Sequence, residues 1–392
     1  MAVAIIGAGP GGLTLARTLR VHGIDAVVYE REASPTARAQ GGMLDLHRES
    51  GQRALREAGL EAEFLAVARA EGQDMRLLEP DGTLLLQEDT PDDAPLERPE
   101  VDRADLRNLL LDSLPEQAVA WGREFRSATA RPGGGYRIQF ADGSTAECDL
   151  LVGADGAYSR VRPLLTDARP VHIGRNTVEG VISDLDRTHP ELAAALGRGN
   201  YWVLGPDQSL AAQRNGDGRV RVYLSFHTPE GWLTDGGGPF ADPDPDRVRA
   251  ALLRLFADWA PQCATLIRAC EGPFVPRPIA TLPVGLTWDA VPEVTLLGDA
   301  AHLMAPAGLG ANMAMLDAAE LALRLAAAGP GGSGKGGKGG NGDGGVAAAV
   351  RAYEEEMFVR GAEAAGEAQR MTELLMSPEG ARGLLKFFQP ER

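Results

Sequence analysis

The sequence predicts an α/β chain: one α/β domain, a sheet domain inserted into it, and a C-terminal helix. Three observations lead there. Residues 2–6, AVAII, form a short apolar run with β-branched members, followed at once by GAGPGG and then by a helical pattern in which Leu13, Ala16 and Leu19 recur three apart. Near residue 171 the texture changes to alternating runs, among them NYWVL at 200–204 and RVRVYLSFHT at 219–228. The first texture then returns in VTLLGDA at 294–300, a strand that opens into a helix predicted to run to about 328.

A second apolar run, DAVVYE at 25–30, ends in an acid, so the chain opens as strand, helix, strand with glycines at its first turn. Residues 31–47 read as a polar connection, 48–70 and 102–114 as helical, and 135–152 as a hairpin closing on an apolar strand that begins CDLLVGAD. The predicted domains are therefore 1–170 plus 286–328 and, inserted between them, 171–285 with one helical stretch near 246–269. Residues 329–345, GPGGSGKGGKGGNGDGG, have the composition of a flexible linker. The remainder, 346–392, carries a helix to about 376 and a tail.

Composition narrows the function classes. Across 392 residues, 39 Lys and Arg face 55 Asp and Glu, a formal charge of −16 that repels phosphate backbones and anionic membrane surfaces. Nucleic acid and membrane are excluded as expected partners, and a monomer or weak homodimer is expected. Cys148, Cys263 and Cys270 are too few and too scattered for a disulfide framework, and no His or Cys cluster has ligand spacing, so neither disulfides nor a metal site is expected. The apolar start lacks a basic flank, and no apolar run reaches the roughly 18 residues of a spanning helix. The expected setting is the cytoplasm.

The chemistry begins at Gly7, Gly9 and Gly12, a G-x-G-x-x-G between a strand and a helix. Gly7 allows the tight turn, Gly9 lets a pyrophosphate approach the backbone, and Gly12 lets helix and strand pack closely. The helix N-terminus adds partial positive charge and free N–H groups. Glu30 stands where an acid accepts hydrogen bonds from ribose hydroxyls, with Arg31 beside it. Nicotinamide and flavin dinucleotides both satisfy this pattern. GDAAHLMAPAGLGANM at 298–313 adds a second cradle: Asp299, delivered by a strand to a helix start, suits ribitol or ribose hydroxyls, and Gly308, Gly310 and Asn312 offer backbone N–H groups to another part of the same ligand. His302 reads as a packing residue of that helix start. No Gly-x-Ser-x-Gly elbow or Walker loop is present.

GAGPGG with YER, DLLVGADGAYSRVR at 149–162 and GDAAHLMAPAGLGAN together make the chain resemble the class A, single-component FAD-dependent aromatic hydroxylases. Within that family, ARAQGGMLDLHRESGQRALREAGL at 37–60 and PEVDRADLRNLLLDSL at 99–114 look most like the tetracycline-inactivating flavin monooxygenases. The resemblance implies a Rossmann-like FAD-binding domain of the aromatic hydroxylase type and a substrate-binding sheet domain. It also implies FAD, NADPH or NADH as co-substrate, and dioxygen captured as a flavin C4a-hydroperoxide that hydroxylates a phenolic or enolic, polyketide- or tetracycline-like polycycle. Antibiotic biosynthesis or resistance is the implied setting.

By position, the resemblance places Arg38 beside the flavin to help receive NADPH, Asp45 against FAD, and Arg103 on phosphates or flavin with Arg107 one turn on. Asp155 and Gly156, with Arg160 and Arg162 behind them, fall near the pyrophosphate and nicotinamide, and Asp299 on the ribityl chain. Gly41 and Gly42 leave room beside a flat ring. Because the flavin carries the chemistry, no side-chain nucleophile is expected. A comparison anchored on LSFHTPEGW sets Tyr201 and Arg221 at substrate-contacting positions, with Trp202 and Gln213 interspersed. The chain departs from the family in its shortened loop APAGLGAN, with Leu309 at the variable position. The competing readings are a halogenase, whose Trp-x-Trp-x-Ile-Pro motif is absent, a C=C reductase, or a flavin-loaded drug-binding protein without turnover.

Overall fold

Residues 1–91, 93–233, 238–241, 244–291, 293–329 and 343–388 are described by a computed structural model. Strand Val3–Ile6, buried at all its positions, pairs in parallel with Ala26–Tyr29 on one side and Leu150–Gly153 on the other. Val294–Leu296 and Val119–Ala120 extend these into a five-stranded parallel sheet. A parallel pair needs a crossover, which helix Pro10–Val21 supplies. Proline fits its first turn because the missing N–H has no intrahelical partner there. The helix buries Leu13, Leu15 and Leu19 and packs closely on helix Gly310–Ala328: a Cβ on Gly11 would come within 2.7 Å of Leu297 Cδ1 and 3.0 Å of the Ala314 oxygen.

This core reaches into the C-terminal helix Asp343–Leu375, where Tyr353 is fully buried and donates to the Leu296 carbonyl oxygen at 2.9 Å. A second C-terminal helix, Gly380–Phe388, occupies part of the predicted tail and packs Ala381 and Leu384 against Met75, Leu77 and Leu204. Residues 330–342 of the predicted Gly-rich linker lie outside the described residues; the rest of that segment already includes the start of Asp343–Leu375.

The second sheet has seven strands in the order Glu271–Thr281, Val171–Ile182, Val220–His227, Gln208–Arg214, Asn200–Gly205, Met75–Leu78 and Leu84–Glu88. Its last two strands come from the predicted first domain, so the boundary at 171 does not separate the sheets. Met75–Leu78 is buried at all four positions and shows no alternation, as expected of a strand covered on both faces. The helical stretch near 246–269 is two helices, Pro245–Leu255 and Pro261–Ala269, because a proline restricts the residue before it. Both cover one face of the sheet, against Val203, Leu210, Val222 and Leu224.

Tyr201 belongs to that helix-covered face, only 2% exposed and cross-strand from Ala212. Successive strand residues alternate faces, so Tyr201 points away from Asn200, Gln213 and Arg221. The expectation that Tyr201 contacts substrate is corrected accordingly. Cys148, Cys263 and Cys270 are buried free thiols, which burial pushes up to about 11, 12 and 12. Among the described residues no helix is long and apolar enough to cross a membrane.

Candidate functional site

The opening glycines divide into two kinds. Gly7 has φ +110°, and a Cβ there would overlap the Ala154 carbonyl oxygen; one on Gly12 would overlap the Gly7 oxygen. These two serve the close packing of turn, strand and helix. Gly9 is different: beyond its own chain neighbours, nothing lies within 4 Å of the place its Cβ would take. It forms an open floor at the start of helix Pro10–Val21, where unpaired N–H groups favour an anion.

Around that floor lies a cleft of about 310 Å³ whose walls include Glu30, Arg31, Arg38, Arg103, Arg107, Arg123 and Arg160. In a chain of net charge −16, so many arginines in one cleft select an anion. Glu30 is buried and already oriented, its Oε2 accepting from the Ala8 N–H at 2.7 Å and its Oε1 from the Glu32 N–H at 3.0 Å. Glu32 ties two of the arginines together: Arg38 Nε donates to it at 2.6 Å and Arg107 Nη2 at 3.0 Å. Its carboxyl is lowered although burial opposes the shift, because Arg38 and Arg107 outweigh it. Arg38 lines this first compartment and not the second one described next.

A second compartment, about 630 Å³, shares Gly9, Pro10, Arg103, Gly156 and Tyr158 with the first and runs on to Asp299, Pro306, Gly308, Gly310 and the strand segment Pro276–Ala280. The two make one elongated cavity. At their junction Asp155 Oδ2 accepts from the Arg160 N–H at 2.7 Å, while Oδ1 is buried with no partner. Burial raises the Asp155 carboxyl, against the hydrogen bonds that lower it. Arg162, buried itself, donates to the carbonyl oxygens of Ala157, Asp299 and Ala300 at 2.8, 3.0 and 2.7 Å, tying the 155–162 loop to the 298–302 turn.

Asp299 faces the second compartment, and burial raises its carboxyl. The turn that aims it is held from behind by Asp317, which accepts from the Gly298 N–H at 3.1 Å, Arg360 Nη2 at 3.0 Å and His302 Nε2, 2.6 Å away. Burial opposes a charge on His302, but Asp317 beside it outweighs burial and raises its pKa. His302 is thus held on Asp317 and not presented to the cavity. Beyond it the predicted continuous helix breaks, Asp299–His302 being separated from Gly310–Ala328 by a loop in which Gly308 takes φ +78°.

Asn312 behaves differently from a ligand-binding side chain. Its Oδ1 accepts from the His47 N–H at 2.9 Å and the Gly51 N–H at 3.2 Å, and its Nδ2 donates to the oxygens of Asp45 and Gly308 at 2.8 and 3.0 Å. Only its backbone remains for a ligand. Asp45, on strand Met43–Asp45, holds His47 Nε2 at 2.9 Å and turns its carboxylate toward Gly308, 3.1 Å from where a Cβ would stand.

The sheet wall of the cavity carries a charge cluster that sequence reasoning did not assemble. Glu179 accepts from Arg221 Nη1 and from Arg277, the latter at 2.8 Å through Nε and 2.7 Å through Nη2. Tyr223 and Arg221 press on Gly42, where a Cβ would overlap the Tyr223 hydroxyl and lie 3.1 Å from Arg221 Cδ. Burial, with the Glu179 charge, pushes the Tyr223 hydroxyl up to about 12. Arg277 lines the second compartment, whereas Arg221 does not. Gln213 shares the Arg221 face but is spent on Asn200 Oδ1 at 2.8 Å. The alternation in RVRVYLSF sets Tyr223 on the same face as Arg221; nothing local in the sequence brings Glu179 and Arg277 to them.

A glycine turn at a helix N-terminus, an oriented acid at the second strand, and a long cationic cavity ending at a second carboxylate define a protein that binds an extended dinucleotide. FAD fits: the open floor at Gly9 admits a pyrophosphate, and the unpartnered Asp155 Oδ1 and the cavity-facing Asp299 supply acceptors for hydroxyls along its length. The chain belongs to the FAD binding domain family, whose model matches residues 1–257 and 291–337, and it is an FAD-dependent monooxygenase of the aromatic hydroxylase type. It is 34% identical over 372 residues to the monooxygenase asqM of Emericella nidulans, across 82% of this chain and 83% of that protein. Its fold is similar to that of Klebsiella pneumoniae HpxO complexed with FAD and uric acid, with a TM-score of 0.78 and 23% identity over 100% of this chain and 93% of that one. The tetracycline destructase Tet(51) has the same fold, with a TM-score of 0.71 and 18% identity over 98% of this chain and 95% of that one.

Proposed function

We propose that this monooxygenase hydroxylates a phenolic or enolic polycyclic small molecule, with NADPH or NADH as reductant and dioxygen as the oxygen source. One observation carries the reading. The described residues lining the second compartment include no Ser, Thr, Cys, Lys or His; they are mostly Gly, Ala, Pro, Leu, Ile and Met, with Arg103, Arg277 and Asp299 as their charged members. The one carboxylate among these lining residues, Asp299, is taken up in this reading by hydroxyls of the cofactor, which leaves the bond-making chemistry to the cofactor. When bound, FAD supplies acceptance of a hydride from the nicotinamide and delivery of one oxygen atom to an electron-rich ring carbon.

The chain's own residues then have three tasks. Leu44, Leu303, Met304 and Pro306 exclude water from the reacting end. Arg277 and Arg103, both lining this compartment, stabilise a substrate phenolate or enolate, the form richest in electrons. The N–H groups at the start of helix Gly310–Ala328 would favour negative charge on a flavin held in this compartment. At the outer end, Arg31 and Arg38 suit the phosphates of a visiting nicotinamide dinucleotide. The uric acid bound by HpxO and the tetracycline of the destructase are both ring systems with acidic or enolic groups, which supports the substrate class.

The test is turnover. Purified protein is expected to carry a flavin spectrum and to oxidise NADPH or NADH faster when a member of a panel of polyketide phenols and tetracyclines is added, with ¹⁸O from labelled dioxygen entering the product. No stimulated oxidation and no label in any product would overturn the hydroxylase reading.

A further inference from the structure

Beyond segment Leu303–Ala305 lies another chamber, of about 590 Å³, which shares those three residues with the second compartment. It is closed by three parts of the fold: the Asp207 turn and His227 of the seven-stranded sheet, the Thr281–Val284 segment, and the last turns of helix Asp343–Leu375. A cavity of this size between separately built parts of a fold is a common setting for a small-molecule ligand. Leu282, Met304, Ala365 and Met376 make its buried apolar floor. Thr372 on its helix wall is buried, and its hydroxyl has no hydrogen-bond partner.

The rim has the opposite charge to the flavin cavity. No Lys or Arg lines the chamber among the described residues; its charged members are Asp207, with His227 Nδ1 at 2.9 Å, and Glu373, which accepts from Gln369 Nε2 at 2.9 Å. A nucleotide finds no cation for its phosphates there. We propose that this chamber holds the part of the substrate remote from the oxidised ring, an apolar aryl or fused-ring body ending in a neutral or protonated amine. The inference rests on the hydroxylase reading, since it takes the adjoining compartment as the place of the reacting ring.

The test uses the FAD-loaded full chain and three fluorescent probes that share one naphthalene body: neutral dansylamide, cationic dansylcadaverine and anionic dansylglycine. One saturable site is expected, with dansylcadaverine and dansylamide each bound about tenfold or more tighter than dansylglycine. Gln369→Trp, at an exposed rim position, is expected to weaken all three, and Glu373→Arg to reverse the order of cation and anion. For any panel compound that is turned over, Gln369→Trp is expected to raise KM with kcat unchanged, and dansylamide to compete with it. The proposal is overturned by the absence of saturable binding, by preference for dansylglycine, by affinities indifferent to Gln369→Trp, or by probes that bind without competing. Flavin content, read from the visible spectrum of the same samples, separates these failures from a failure of the cofactor site, and binding of the probes without turnover of any phenol would count against the hydroxylase reading alone.

Discussion

Asn312 and Asp45 are joined by a hydrogen bond of 2.8 Å, from Asn312 Nδ2 to the Asp45 carbonyl oxygen, across 267 positions of chain. The same side chain accepts from the His47 and Gly51 N–H groups. One amide therefore locks the start of helix Gly310–Ala328 to the 45–51 segment, with Gly308 between them.

Asn312→Ala would strand buried donors of His47 and Gly51 and the acceptor of Asp45. An unsatisfied buried group costs about 1–3 kcal/mol, so a total loss of roughly 2–4 kcal/mol is expected in urea unfolding, together with faster release of flavin. A loss well under about 1 kcal/mol would show that the latch does not hold these segments.

Gly9→Ala and Gly12→Ala should separate binding from folding. At Gly9 the protein leaves open space, so alanine is expected to leave the melting temperature of the flavin-free protein nearly unchanged and to weaken FAD binding where the pyrophosphate approaches. At Gly12 the added carbon overlaps the Gly7 oxygen, so both stability and FAD binding are expected to fall. Equal effects of the two changes on the flavin-free protein would contradict this division.

The His302–Asp317 pair makes stability depend on pH in a defined direction. The His302 pKa is raised above its ordinary 6.5, so its contribution is complete below 6.5 and is lost as pH rises through the raised value. The Asp317 pKa is lowered below its ordinary 3.8, so its contribution is present above 3.8 and is lost as pH falls through the lowered value. The advantage of the wild type over His302→Gln should therefore shrink in urea midpoints as pH rises from 6.5 through the raised value. A constant difference across that range would show that the pair is not an ion pair.

Glu179 carries two arginines of unequal burial, Arg221 at 9% side-chain exposure and Arg277 at 50%. Glu179→Ala leaves Arg221 buried without its counter-charge, and a loss of about 3–5 kcal/mol is expected. Arg277→Ala removes a half-exposed partner and should cost about 1 kcal/mol or less, yet raise KM for an acidic phenol. If Arg277→Ala alters stability as much as Glu179→Ala and leaves KM alone, Arg277 is structural.

The parts of the candidate site that follow one another along the chain are the ones a sequence motif can mark. Gly7, Gly9, Gly12 and Glu30 fall within one strand–helix–strand unit, and Asp299 follows its strand at a helix start, so local periodicity alone locates them. Tyr201 was misread because a one-residue step along a strand reverses the face, and the choice of face is made by the helices Pro245–Leu255 and Pro261–Ala269 that cover it. Strand Met75–Leu78 shows no alternation in the sequence because it is buried on both faces.

The sequence by itself determined the α/β class, the two glycine-bearing turns and the net charge of −16, because each rests on short-range steric rules or on simple totals. Only the tertiary structure decided that the turns line adjoining compartments, that Arg162 and Asp317 both hold the 298–302 turn, and that Glu179 gathers Arg221 and Arg277, of which Arg277 lines the second compartment. Those contacts join residues tens to hundreds of positions apart, and their pairing is set by strand register and by which faces are buried together, which no local pattern encodes.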